Sequence, residues 1–465
     1  MKKTSLMKNT LLLSIGTMMT KGINLLMIPL FSRWLSTEDY GMFDLFVTYV
    51  SLLIPFISLS SADAFFRFSV DTDNEEEKKR YISSGLLIYC CNLIFIAVIM
   101  ICIHFIFKWE MAIPFLALLV AEVAMNYLQG VLRALKKLNI YSFANVFATI
   151  GIMLGVFTLV YIFGFGLKGM VYGYAFGYAF GVVIMIASSK CWKYISINKA
   201  SLGTCKELVS YSFPLIPNNI CWWIINVSDR TIINVFLGPV SNGIYAIANK
   251  IPNFCASIFG VFNISWQETA VEVLDSEGRN RYYNSVYNST ISTMISLCGG
   301  LLSLNYFLFN YIFDMRYFDA RLYCPLLITA VIFSSLTLYF GGLQISFKRP
   351  KENGITTIIG AVVNVSVHML LVKSVGLYAA ALSTIASNLV ICILRYIRLK
   401  KEIPFSLGTD TKLYMLYYIY MFVSCYFIDK LWTACINLLI ACIMFLLINR
   451  TFLATAVSKV KAIKH

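Results

Sequence analysis

Two oppositely charged residues, Asp229 and Arg230, stand side by side in NVSDRTIINVFLG (226–238), inside an otherwise apolar stretch. Neighbours on a helix point about 100° apart, and side chains that meet lie three or four positions apart. The pair is therefore expected to serve two different surroundings, with Arg230 sharing a face with Asn226 and Asn234. Other apolar runs also carry polar rows at helical spacing. Ser14, Thr17, Lys21 and Asn24 form one, and Glu122, Asn126, Gln129 and Arg133 a second. Asn249, Asn253, Asn263 and Gln267 form a third with Lys250 beside it, and Asn364 and His368 are one turn apart.

What chemistry would such rows perform? A charge at the centre of a bilayer costs about 2.5–3.5 kcal/mol on insertion scales, so it normally faces a cavity or a partner. Single Asn or Ser residues can serve as interhelical glue. Three cations, Lys21, Arg230 and Lys250, exceed what packing requires and suit an anionic cargo. With Arg67, Arg133, Asn226 and Asn364 they make the candidate substrate-binding set; Arg67 and Arg133 lie at the ends of apolar runs. Asp229 is expected to partner one of the cations, Lys250 first. Asp229 and Glu122, the most isolated acid, are the candidate ion-coupling residues, with H⁺ or Na⁺ as the ion. His368 reads as a packed, hydrogen-bonded residue.

The elements that hold these rows must be membrane helices. The chain has 465 residues, 59% hydrophobic and 13% charged, with a mean hydropathy of +0.75, against about 25% charged in soluble domains. Its apolar runs are continuous for about 20 residues, the length of a transmembrane helix, and do not alternate as barrel strands would. The fold class expected is an all-α polytopic membrane protein of about 14 spans: 9–32, 41–62, 82–107, 112–132, 141–164, 169–189, 213–237, 244–266, 285–312, 321–346, 353–372, 378–397, 412–428 and 431–449. The basic, apolar start imitates a signal peptide, but Lys21 stands where a small-residue cleavage site belongs, so an uncleaved first span is expected. The 13 cysteines and three histidines show no metal-ligand spacing, and no metal or resident cofactor is expected.

Orientation follows from the basic residues. With the N-terminus cytoplasmic, 28 of the 38 Lys and Arg lie in or beside inside segments, against 7 in or beside outside segments and 3, Lys21, Arg230 and Lys250, deep within spans. That bias places both termini inside. The net charge of +15 is thereby a topology signal, and nucleic acid is not expected as a partner. All outside loops are short, so binding is expected within the membrane.

An internal repeat organises the spans. RWLSTEDYGMF (33–43) lies over VFLGPVSNGIY (235–245), and FGLKGMVYGYAFGYAFG (165–181) over VGLYAAALSTIASNLVI (375–391). Gly169, Gly173, Gly177 and Gly181 correspond to small residues including Ala379, Ser383 and Ser387, a spacing that lets helices approach closely in lipid. Six spans separate the matches, so the repeat is parallel, and transporters of this kind bind substrate between their halves. The division expected is residues 1–200 for an N-lobe, 201–400 for a C-lobe, and 401–465 for spans 13–14 with a basic cytoplasmic tail.

PLFSRWLSTEDYGMF, ADAFFRF, QGVLRALKKLNIYS, SDRTIINVFLG and FKRPKENGITTIIGAVVNVSV, in this order, resemble the Wzx-type flippases. These are polysaccharide-export members of the multidrug/oligosaccharidyl-lipid/polysaccharide superfamily. The resemblance implies two six-helix lobes around a central cavity in the bacterial cytoplasmic membrane. It implies translocation of an undecaprenyl-pyrophosphate-linked glycan, an O-antigen or capsule repeat unit, to the outer leaflet. It also implies a polysaccharide polymerase and a chain-length regulator as partners. Arg230 becomes a candidate contact to the pyrophosphate or an acidic sugar, with Lys21 and Lys250 as further cavity cations. Spans 13–14 resemble the extra helices of the lipid II flippases, but the arginine-rich first span of that branch is replaced here by TMMTKGINLL. The competing readings are a multidrug antiporter of the same superfamily and a membrane polymerase or ligase. The short outside loops argue against the enzymes.

Overall fold

The computed structural model describes residues 2–450 except 73 and 429; the basic tail 451–465 and the side chain of Ser14 lie outside the described set. It is helical throughout, with no strand among the described residues, as lipid requires of a chain that must satisfy its own backbone. The α-helices are α1 (Lys2–Trp34), α2 (Thr37–Ser58), α3 (Ser61–Asp71), α4 (Glu75–Phe107), α5 (Ala112–Ala134), α6 (Leu138–Val156), α7 (Gly166–Ser189) and α8 (Leu202–Ser212). They continue with α9 (Ile216–Val227), α10 (Asp229–Glu272), α11 (Arg279–Phe307), α12 (Ala320–Ser346), α13 (Pro350–Val375), α14 (Tyr378–Leu399), α15 (Thr409–Phe427) and α16 (Leu431–Ile448).

Among the described residues, eleven helical stretches are long and apolar enough to cross a membrane, which makes this a multi-pass membrane protein. One of them, Asn219–Glu272, runs 54 residues. At 1.5 Å per residue a straight helix of that length would reach about 80 Å, against a hydrocarbon core of about 30 Å. The excess is resolved at Gly238, whose φ of 84° and ψ of 172° break the helix. The backbone there is left-handed, a conformation glycine adopts without steric cost. That the chain folds back at this point follows from a hydrogen bond. Tyr245 Oη lies 2.9 Å from the carboxylate of Asp229, although 16 residues of straight helix would separate them by about 24 Å. The turn expected at GPVSNG is therefore present as a sharp break.

Local signals explain several other ends. Ser36 caps α2 by accepting from Asp39 N–H at 3.0 Å, and Asn74 caps α4 at Glu76 N–H at 2.9 Å. Glu75, Glu76 and Glu77 occupy the first turn of α4, where acids oppose the helix dipole favourably. The span expected at 41–62 is interrupted: Leu59 and Ser60, with φ of 47° and 52°, separate α2 from α3. Outside the spans, Lys168 pairs with Glu110 at 2.8 Å and holds that carboxyl below its ordinary range through the hydrogen bond.

The chain forms two compact units, Met1–Trp223 and Ile224–His465. Within the first, α7 packs on α6 and α5, and α4 on α5; within the second, α14 packs on α13 and α12, and α11 on α12. These are the pairs that the sequence repeat brings into correspondence. Glycine makes the closest of them possible: a Cβ on Gly173 would stand 2.7 Å from the backbone nitrogen of Val156. In the second unit Ser387 closes the equivalent pair by donating to Gly360 C=O at 2.8 Å. Helices α15 and α16 both pack on α11 and so belong to the second unit.

Candidate functional site

The charged pair opens α10, and both residues are buried, Asp229 at 2% and Arg230 at 7% exposure. They diverge, as sequence neighbours on a helix must. The carboxylate of Asp229 turns toward α13 and α14. Its Oδ1 lies 3.0 Å from His368 Nδ1, and its Oδ2 accepts from Tyr245 Oη at 2.9 Å. Thr384 Oγ1 stands 3.2 Å from Oδ2, and its single proton is shared with Ala380 C=O at 2.9 Å. Arg230 instead points back toward the end of α9. Its Nη1 lies 3.4 Å from the carbonyl of Asn226, and its guanidinium sits 5.9 Å from the centre of the Tyr245 ring. Tyr245 thus presents its hydroxyl to the anion and its ring face to the cation, the polarity each prefers.

The chemistry is that of a buried, satisfied carboxylate. Removing a carboxylate from water is costly unless hydrogen bonds replace its hydration, and here three elements supply donors. An ionised carboxylate only accepts, so with Asp229 charged His368 carries its proton on Nδ1 and leaves Nε2 as an acceptor. That Nε2 is buried and has no hydrogen-bond partner among the described residues. One turn earlier on α13, Asn364 is fully buried, and both atoms of its amide lack partners among the described residues. His368 Nε2 and the Asn364 amide are therefore buried polar atoms left over for a further hydrogen-bond partner.

This geometry changes one expectation. Asp229 is engaged by His368, Tyr245 and Thr384, and Lys250 is not among its partners. Lys250 is half-buried farther along α10. The direction of each side chain around its helix decides the contact. Asp229 and His368 are brought together, with Arg230 next to the one in sequence and Asn364 a turn from the other; Asn226 contributes its backbone carbonyl and keeps its side chain exposed. Tyr245 and Thr384 were missed. The only hint for Thr384 was its place beside Ser383 in the small-residue row.

The remaining candidates lie in the first unit. Lys21 is exposed on α1, and Arg67 on α3. Arg133 reaches Asp63 at 3.5 Å, both roughly half-exposed, and covers the Phe66 ring at 4.7 Å. An exposed pair of this kind contributes about 0–1 kcal/mol. Arg67 follows Asp63 by one turn, so α3 carries both groups at the end of α5. Glu122 has one carboxyl oxygen buried with no partner among the described residues.

Long apolar helices in two compact units, with a hydrogen-bonded Asp229–His368 contact and, among the described residues, further buried polar atoms without partners, define a polytopic membrane protein that holds polar groups inside its helix bundle. The fold is shared with solved membrane transport proteins. It matches a lipid II flippase MurJ in an inward closed conformation with a TM-score of 0.71, covering 96% of this chain and 100% of that one at 15% identity. It also matches an inward-facing MATE multidrug transporter with a TM-score of 0.61, over 84% of this chain and 96% of that one, again at 15% identity. Residues 6–266 match the family of polysaccharide biosynthesis proteins, and the chain belongs to that family. No curated protein matches the sequence.

Proposed function

We propose that this protein is a flippase that moves an undecaprenyl-pyrophosphate-linked oligosaccharide repeat unit from the inner to the outer leaflet of the bacterial cytoplasmic membrane. In this reading both termini are cytoplasmic, the cycle is one of alternating access, and the protein makes and breaks no covalent bond. Family membership supports the polysaccharide connection, and the fold shared with a lipid II flippase supports a lipid-linked cargo. The observation that carries the reading is the buried Asp229–His368 contact with Arg230 beside it. A buried cation beside a carboxylate–imidazole contact is what an anionic headgroup and a coupling ion require together, and charge-assisted hydrogen bonds are the strong ones.

The coupling ion in this proposal is H⁺. Sodium would need hard oxygen ligands, by the logic that governs other hard cations, whereas one direct neighbour of the Asp229 carboxylate is an imidazole nitrogen. Asp229 is then the coupling residue of the second unit, and Glu122 that of the first. Lys21, Arg67, Arg133 and Lys250 are further contacts to phosphate or acidic sugar.

The test is deletion of the gene in its native host, with extraction of the polyprenyl-linked intermediates and complementation by wild type, Arg230→Ala and Asp229→Asn. Inward-facing repeat units should accumulate and surface polysaccharide should be lost, with only wild type restoring both. Normal delivery of lipid-linked units without the gene would overturn the reading and leave multidrug antiport. Rescue by Asp229→Asn at normal protein levels would remove the acid from the coupling step. Uptake into proteoliposomes driven by a sodium gradient and indifferent to a pH gradient would replace the proton.

A further inference from the structure

The chain between α7 and α9 carries large apolar side chains where no span lies. Trp192, Leu202 and Phe213 are exposed at 49%, 81% and 62%. Among them stand Lys190, Lys193, Lys199 and Lys206, against a single acid, Glu207. Lys199 is paired with Glu76 at 2.9 Å. The other three lysines pair with no carboxylate among the described residues. On a helical projection of α8 and its continuation, Leu202, Lys206 and Phe213 fall within roughly 40° of one another at 100° per residue. The opposite edge, Thr204, Leu208 and Ser212, is buried.

The depth of this segment is fixed by its hydrogen bonds to α4. Ser196 N–H donates to Ser83 Oγ at 2.9 Å and Ser201 N–H to Ser84 Oγ at 3.1 Å. In α4 the charged turn EEEKKR ends at Arg80 and the apolar run begins at Tyr81. The segment therefore lies along the level where this unit passes from water into hydrocarbon, at its basic end. Apolar side chains exposed there, interleaved with unpaired lysines, have the composition of an interfacial amphipathic element.

We propose that residues 190–213 form a docking surface for anionic phospholipid headgroups. Lys190, Lys193 and Lys206 take the phosphates, and Trp192, Leu202 and Phe213 enter the acyl boundary. Lysines beside an anionic leaflet are each attracted to it, and Trp favours the headgroup level. The charge complementarity selects anionic over zwitterionic lipid. Docking also has a consequence inside the unit. Ser212 Oγ donates to Leu59 C=O at 2.6 Å, so the docked segment holds the left-handed joint between α2 and α3.

The full-length protein in phosphatidylcholine nanodiscs, with a fixed fraction of either brominated phosphatidylglycerol or brominated phosphatidylcholine, provides the test. The fluorescence difference between wild type and Trp192→Phe isolates Trp192. Brominated phosphatidylglycerol should quench it more strongly, the preference should fall at high salt, and Lys190→Gln/Lys193→Gln/Lys206→Gln should abolish the preference while quenching by brominated phosphatidylcholine persists. As a second readout, unlabelled phosphatidylglycerol should raise the apparent Tm of wild type and not that of the triple variant. Equal quenching by both lipids, with equal Tm gains for both proteins, would overturn the headgroup recognition. Quenching by aqueous iodide and by neither lipid would overturn the docking altogether and turn this face toward a soluble partner.

Discussion

The Asp229 carboxylate is held by groups drawn from three helices, so each donor has a separable effect. Tyr245→Phe removes one donor and keeps the ring under Arg230. Leaving a buried charged acceptor short of a partner costs about 1–3 kcal/mol, and the loss is expected in thermal unfolding of the detergent-solubilised protein. A second buried cation gives a contrasting case. Arg395, 1% exposed, donates to Thr356 Oγ1 at 2.9 Å, Thr337 C=O at 2.7 Å, Thr357 Oγ1 at 3.0 Å and Asn353 C=O at 3.2 Å. All four acceptors are neutral. Gly341 makes room for it: a Cβ there would stand 2.7 Å from Nη1. A lysine keeps the charge but cannot reproduce this planar fork, so Arg395→Lys is expected to lower the apparent Tm more than Arg395→Met, which removes the charge along with the donors. Equal loss in both would show that the side chain's volume, and not its hydrogen bonding, holds the site. The sequence marked Asp229, Arg230, Asn364 and His368 as unusual because each breaks an apolar run. It did not show that Asp229 and His368 meet, since 139 residues separate them. Arg395 was counted with the basic inside loops, because one charge near the end of an apolar run looks the same whether it leaves the helix bundle or turns into it.

At the scale of elements, the tight helix pairs were readable and the breaks were not equally so. Glycines four apart announce close approach, and the structure uses Gly173 and Gly177 for that contact. Gly177→Leu would drive a side chain into Ile152 of α6. Overpacking of this kind costs about 1–3 kcal/mol and sometimes more, and it should appear as a loss of folded yield and a lower Tm. Gly360→Ala should act in the same direction on the α13–α14 pair, where Ile391 fills the space. The break at Gly238 was expected, since GPVSNG is a turn composition. The joint at Leu59–Ser60 was not, because neither residue type favours a left-handed backbone. Such residues cost about 1–3 kcal/mol each when the surroundings impose them. Leu59→Gly should therefore leave the fold intact and relieve part of that strain, at the expense of the leucine side chain's own packing. A raised Tm means strain outweighs packing, and a lowered one means that the leucine is worth more than the backbone it distorts.

For the whole molecule, the repeat expected from the sequence covers residues 1–400 and leaves α15 and α16 to be explained. Both pack on α11, and their contacts are specific. Thr411 donates to Asn288 Oδ1 at 3.0 Å, Tyr418 Oη meets Thr329 Oγ1 at 2.9 Å, and Tyr426 Oη donates to Leu322 C=O at 3.1 Å. Near the end of α16, Asn449 Nδ2 donates to Ser296 Oγ at 3.0 Å. Gly299 is seated under the Tyr417 ring. The outer faces carry Leu413, Leu416, Trp432, Leu439 and Leu446, all exposed, as suits lipid contact. Truncation after Lys401 would therefore expose polar groups of α11 and α12 to hydrocarbon, where unsatisfied groups are costly. The second unit is expected to melt at a lower temperature and to be cleaved first in limited proteolysis, with the first unit unchanged. Single substitutions separate this from a role in handling the cargo. Asn449→Ala and Thr411→Ala should reproduce part of the thermal loss in proportion to the bonds removed, while glycan export falls only as far as folded protein falls. Export abolished at full stability would instead assign α15 and α16 to the cargo's path, because packing alone would then have been preserved.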